Sequence, residues 1–190
     1  GTLTVKSYEA PLNTLGLQDA ALTVLASGFL DPSQNSDGAP FGLFVALPSG
    51  GALIPLPEST ARVQVIHNSP DALASAVDVY LNDALLIDDF AFRTASPFID
   101  APAAVDFTVG IAPANSTSSA DAIATFDYNL AANETYIIVA SGIVNAAGYN
   151  PAPAFNLEVF AAAREAASTQ GNTDVLVYHG STDAPTVDVV

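Results

Sequence analysis

One phrase is written twice in this chain. It reads "HNSPDALASAVDV" from His67 and "HGSTDAPTVDV" from His179, an interval of 112 residues, with two residues fewer in the second spacer. Two other markers recur in the same order. "LTVLASGF" from Leu22 answers "YIIVASGI" from Tyr136, and "APFGLFVALP" from Ala39 answers "APAFNLEVFAA" from Ala152. Three markers at an interval of 112 to 114 residues describe one structural unit written more than once. The interval suits a β-sandwich module of about 100 residues. The expected phase is unusual. Residues 1–58 read as the C-terminal half of a module, 59–170 as a complete one, and 171–190 as the opening strands of another.

The texture within the period is β. In "ARVQVIH" the residues Val63, Val65 and His67 fall on one face, and Arg62, Gln64 and Ile66 on the other. "AVDVYL" alternates likewise, with Asp78 and Tyr80 opposite Val77, Val79 and Leu81. Further short apolar runs are separated by Asn-Asp, Ser-Pro, Ala-Pro-Ala and Asn-Pro turn signals. The only helix-like text, "AAAREAAS" at 161–168, is short enough for a turn or linker. The expected fold class is all-β, built of tandem Ig-like antiparallel β-sandwich modules.

Charge narrows the partners. The chain carries 20 acidic residues against 4 basic ones, net −16, so it lacks the Lys and Arg that neutralise phosphates. Nucleic acid and membrane insertion are not expected, since no stretch approaches the ~20 apolar residues of a spanning helix. There is no Cys, hence no disulfide framework, thiolate metal site or cysteine nucleophile. The absence of Met even at position 1 reads as a processed chain or part of a longer one.

The text "ARVQVIHNSPDA…AVDVYLND", followed by "LAANETYIIVASGI", resembles the domain of unknown function 4397 family. Those are repeated modules of secreted and surface proteins of bacteria and archaea. The resemblance implies an extracellular β-sandwich and carries no known reaction.

The candidate chemistry begins with His67, Ser69 and Asp71, and their counterparts His179, Ser181 and Asp183, which have the residue types of a hydrolytic triad. Spacing argues otherwise. Such triads are assembled from separate loops, whereas strand residues two apart lie about 7 Å from each other. A β-turn in which Ser and Asp hold backbone amides, with His packed, is the simpler reading. Asp78 and Asp188, each within Val-Asp-Val, read as outward carboxylates or as structural acceptors, for turn amides or for the module's own His. Asp31, Ser33, Asn35 and Asp37 form an oxygen ladder of the kind calcium takes, but without the glycine and glutamate positions of a calcium loop. Asp83, Asp88 and Asp89 make a weaker acidic cluster. Asn115 and Asn133 fit the glycosylation sequon. Apart from that calcium ion no cofactor is expected.

These features point to a non-enzymatic extracellular or cell-surface structural protein, a fibre or filament of tandem modules. Its partner would be itself, head to tail by strand complementation, or adjacent modules of the same chain. The alternative is an adhesin or carbohydrate-binding module, with Tyr80, Tyr128 and Tyr149 as the rings on which a sugar would stack.

Overall fold

The computed structural model describes residues 5–188. The chain divides into two compact units, Gly1–Ser59 and Thr60–Val190.

The first unit holds one antiparallel sheet of three strands in the order β1-β2-β3: β1 Thr23–Ser27, β2 Gly42–Ala46 and β3 Ile54–Pro55. Its buried core is Leu17, Val45 and Leu56, with Tyr8, Leu22 and Leu43 packed against it. Among the described residues β1 pairs within the sheet with β2 only, so its other edge carries no ladder partner.

The second unit holds nine strands: β4 Thr60–His67, β5 Ala76–Leu81, β6 Ala84–Ala91, β7 Thr94–Ala95, β8 Ile99–Pro102, β9 Phe107–Pro113, β10 Ala124–Tyr128, β11 Thr135–Ser141 and β12 Asn156–Phe160. One sheet runs β10-β9-β5-β6; the other runs β12-β11-β4-β7, with β8 also on β4. Every pairing is antiparallel except β4 with β11, which is parallel. Buried side chains from both sheets share core clusters. Val63, Phe107, Ile138 and Leu157 belong to one, and Val77, Val79, Phe90 and Ile111 of the first sheet, with the partly buried Val65 of the second packed against them, to another. The alternation in the sequence explains this. Val63 and Val77 point between the sheets, while Arg62 turns outward to Asp100 and Glu165.

In a constant-type immunoglobulin domain the first two strands share a sheet. Here β4 and β5 fall in different sheets, because the turn after β4 is fastened to the turn after β11. Residues 161–168 contain no helix; Arg164 pairs with Asp174, and Glu165 with Arg62. Residues 171–188 contain no strand.

The two units contain one hairpin in common. β1 and β2 pair in the register Thr23↔Ala46 to Ser27↔Gly42, and β11 and β12 in the register Ile137↔Phe160 to Ser141↔Asn156. Each residue of the first is 114 below its counterpart in the second. The parallel bridges beyond the strands, Phe29↔Pro40 and Ile143↔Ala154, keep the same interval. So do the glycines between strand and bridge. Gly28 and Gly142 sit at φ 85° and 84°, where a Cβ would lie 2.1 Å from the Pro40 carbonyl oxygen and 2.3 Å from that of Ala154. Only glycine fits a left-handed position against a backbone so close.

Candidate functional site

The two most distinctive phrases of the sequence meet in space. β4 ends at His67, and the loop after it crosses to β5 beside the Ala140-Ser141-Gly142 turn that ends β11. The Ser69 hydroxyl donates to the Gly142 carbonyl at 2.7 Å. Asp71 Oδ2 accepts the backbone N–H groups of Val144 at 2.8 Å and Asn145 at 3.0 Å. Its Oδ1 accepts the Leu73 N–H at 2.9 Å, which caps a short 3-10 turn, Ala72–Ala74. The Tyr149 hydroxyl donates to the same oxygen at 3.3 Å and accepts the Ala72 N–H at 2.9 Å. Ser69 and Asp71 are 0% and 1% exposed, so the Ser69 hydroxyl and the Asp71 carboxylate are themselves out of water, where leaving such a group without its partner costs about 1–3 kcal/mol.

His67, 1% exposed, shapes the loop from within. Nδ1 accepts the Ser69 N–H at 3.4 Å, which assigns the proton to Nε2, and that nitrogen donates to the Ala74 carbonyl at 2.7 Å. Phe90 and Phe92 pack around the ring. Burial pushes the imidazole pKa down against the opposing pull of the Ala74 bond, so the ring is neutral near pH 7. Burial pushes the Asp71 carboxyl up, but the N–H groups of Asn145, Leu73 and Val144 and the Tyr149 hydroxyl outweigh it and hold it below its ordinary value. His67, Ser69 and Asp71 are thus spent on backbone groups. No side-chain bond joins Ser69 to the imidazole, or the imidazole to Asp71.

Asp78 is 1% exposed rather than outward, which corrects the reading of a solubilising carboxylate. β6 bulges opposite it, since Val77 pairs with Phe90 and Val79 with Ile87. The bulge turns the Asp89 N–H toward Asp78 Oδ1, at 3.0 Å. Ser116 donates to Asp78 Oδ2 at 2.5 Å and lies 2.9 Å from the Tyr80 hydroxyl. Burial raises the Asp78 pKa, but the bonds from Ser116 and Asp89 leave it lowered overall. Asp78, Asp88 and Asp89 can bring oxygens within 4.8 Å of one another, and the negative charge of Asp89 raises the Asp88 pKa. Asp83 stands apart from that group, accepting from Ser119 at 2.9 Å.

The second copy of the phrase holds half of these bonds. In the tail the Ser181 N–H reaches His179 Nδ1 at 3.3 Å, and His179 Nε2 lies 2.9 Å from the Pro185 carbonyl. The loop around the imidazole is therefore reproduced. Its fastenings are not: Ser181 donates to Asp183 at 3.3 Å, and His179, Ser181, Asp183 and Asp188 are all exposed.

The remaining candidates are placed as follows. Asp31 caps a 3-10 turn, Pro32–Gln34, accepting from Ser33 Oγ at 2.6 Å and the Gln34 N–H at 3.3 Å, while the Asn35 side-chain amide donates to the Asp31 carbonyl at 2.8 Å. Asp37 follows at φ 53°. Asn115 and Asn133 are exposed, but the hydroxyl of Ser116 in the first sequon is engaged with Asp78. Tyr80 is buried, Tyr128 packs on Phe107, and the Tyr149 hydroxyl holds the Asp71 loop, so the three rings form no shared exposed face.

What sequence reasoning missed is the partnership. Ser69 and Asp71 were candidates, and Gly142 was a repeat marker, but nothing in their spacing paired them. The recurrence of both phrases in the same order was the available signal.

No curated protein matches the sequence. The family model described as "Domain of unknown function (DUF4397)" matches residues 61–190, which takes in β4 to β12 and both copies of the His-x-Ser-x-Asp phrase. The chain belongs to that family.

Proposed function

We propose that this protein is a non-enzymatic structural component of an extracellular or cell-surface fibre, built from tandem β-sandwich modules of the broad Ig-like layer type. Neighbouring modules are joined by strands that one supplies and the next accepts. The observation that carries this reading is the hairpin formed twice at an interval of 114 residues: its strand edge is filled in the second unit and, among the described residues, open in the first. Open edges recruit strands, and a contact that does not close on itself propagates into a filament. The site residues support a structural role, since His67, Ser69, Asp71 and Asp78 are buried and hydrogen-bonded to backbone groups of neighbouring turns. The acidic surface keeps such a fibre from phosphate-bearing partners.

Negative-stain microscopy of the purified chain at rising concentration tests the proposal. Regular fibres with an axial repeat of a few tens of Å, the length scale of a ~100-residue domain, are expected. Isolated particles at every concentration would overturn it.

A further inference from the structure

Resting on the fibre reading and specifying its joint, we propose that residues 175–188 of one copy of this chain dock on the open edge of β1 in a second copy. The second unit supplies the template for the contact. There β4 lies parallel to β11 in the register Tyr136↔Val63 through Ala140↔His67, and the loop that follows is fastened to the Gly142 turn. Moving β11 back by 114 residues and β4 forward by 112 gives the joint. Leu22 stands opposite Val175, Thr23 opposite Leu176, Val24 opposite Val177, Leu25 opposite Tyr178 and Ala26 opposite His179.

Both halves of the joint are prepared and unspent. On the acceptor, Val24 is 55% exposed, whereas its counterpart Ile138 is 5% exposed beneath β4. Among the described residues no protein donor reaches the Gly28 carbonyl, and no acceptor meets the N–H groups of Leu30 and Asp31. These are the counterparts of the groups that Ser69 and Asp71 hold. On the donor, Val175 is 74% and Val177 64% exposed, where Val63 and Val65 face the core. The His179 loop is already closed by its own bonds, and among the described residues the Ser181 hydroxyl and the Asp183 carboxylate bond only to each other. Tyr178, on the opposite face of the segment, stays on its own unit through Phe160 and a 3.0 Å bond to Ser141. The segment therefore presents its apolar face outward. In the joint Ser181 donates to the Gly28 carbonyl, and Asp183 accepts from Leu30 and Asp31. The product is a four-stranded sheet, donor-β1-β2-β3, with Val175 and Val177 over the Leu17, Val45 and Leu56 core.

The chain has no cysteine, so introduced thiols report the register directly. A mixture of full-length Thr23→Cys and Leu176→Cys chains is oxidised mildly, with Leu22→Cys and Leu176→Cys as the register-shifted control. A disulfide-linked heterodimer at least about tenfold above the control is expected, since bridging needs Cβ atoms that face each other, and in the joint position 176 shares a face with position 23 and not with position 22. Sedimentation of the Ser181→Ala, Asp183→Ala double variant is expected to show association weakened by at least about tenfold, with the melting of the second unit unchanged. Absence of the heterodimer, bridging equal to the control, or unaltered association of the double variant each overturns the joint. A bond formed only within single chains carrying both substitutions does the same. Fibres seen without the heterodimer defeat this site and leave the fibre reading intact; the heterodimer without fibres does the reverse.

Discussion

The loop at His67 and the tail at His179 contain the same residue types in the same order, yet one is buried and the other exposed. The internal half of the motif, His to its own backbone, forms in both. The external half, Ser and Asp to a neighbouring glycine turn, forms only where that turn is present. The loop's shape is thus local, and its stabilisation is tertiary. The two hairpins teach the complementary lesson. β1–β2 takes the register of β11–β12 although, among the described residues, no strand lies on the β1 side where β4 lies on β11, so that neighbour is not needed to set the pairing.

The sharpest way to break this comparison is to change the same residue in each copy. Asp71→Ala removes the buried carboxylate that accepts the N–H groups of Leu73, Val144 and Asn145 and should cost roughly 2–4 kcal/mol of stability in the second unit, as read by denaturant titration. Asp183→Ala, at an exposed site, should change the stability of the isolated chain by less than about 0.5 kcal/mol. Equal effects would erase the distinction between copies.

Next in size is Gly142→Ala. Its Cβ would stand 2.3 Å from the Ala154 carbonyl in a left-handed conformation, and a loss of at least ~2 kcal/mol is expected from calorimetry. The equivalent Gly28→Ala should loosen the first unit while leaving the second unaltered.

Acidity sharpens the comparison further. The folded pKa of His67 is depressed, so its contribution is complete above the unfolded value of about 6.5 and is lost as pH falls through the lower folded value. Asp71 and Asp78 are depressed too; theirs is complete above the ordinary carboxylate range and is lost further into acid. Stability of the second unit should therefore fall in two stages on acidification, and His67→Leu should remove the first stage. The smallest loss expected within the second unit's loop is that of Tyr149→Phe, which removes the hydroxyl between Asp71 and Ala72 and should cost about 0.5–1.5 kcal/mol.

Much of the fold was legible because strand signals are local. Val63 and Val65 alternate with Arg62 and Gln64, and the recurring apolar runs from Leu22, Ala39, Tyr136 and Ala152 coincide with β1, β2, β11 and β12. Strand order was not legible. Nothing local says that β4 pairs with β11 rather than β5, because that choice rests on bonds between residues 73 and 74 positions apart. The same distance hid the role of Asp78. Alternation placed its side chain opposite Val77 and Val79, but the bulge at Asp89 and the loop carrying Ser116 are what cover it.

By itself the sequence determined the period, the alternating strands, the two glycine turns and the self-closed histidine loop, since each depends on groups within a few residues of one another. Only the tertiary structure decided which turn fastens which loop and which sheet receives β4. It also decided that one copy of the motif is sealed while the other stays open. The physical reason is that a buried hydrogen bond stabilises only when both its partners leave water together, and where the second partner comes from is a property of the folded chain.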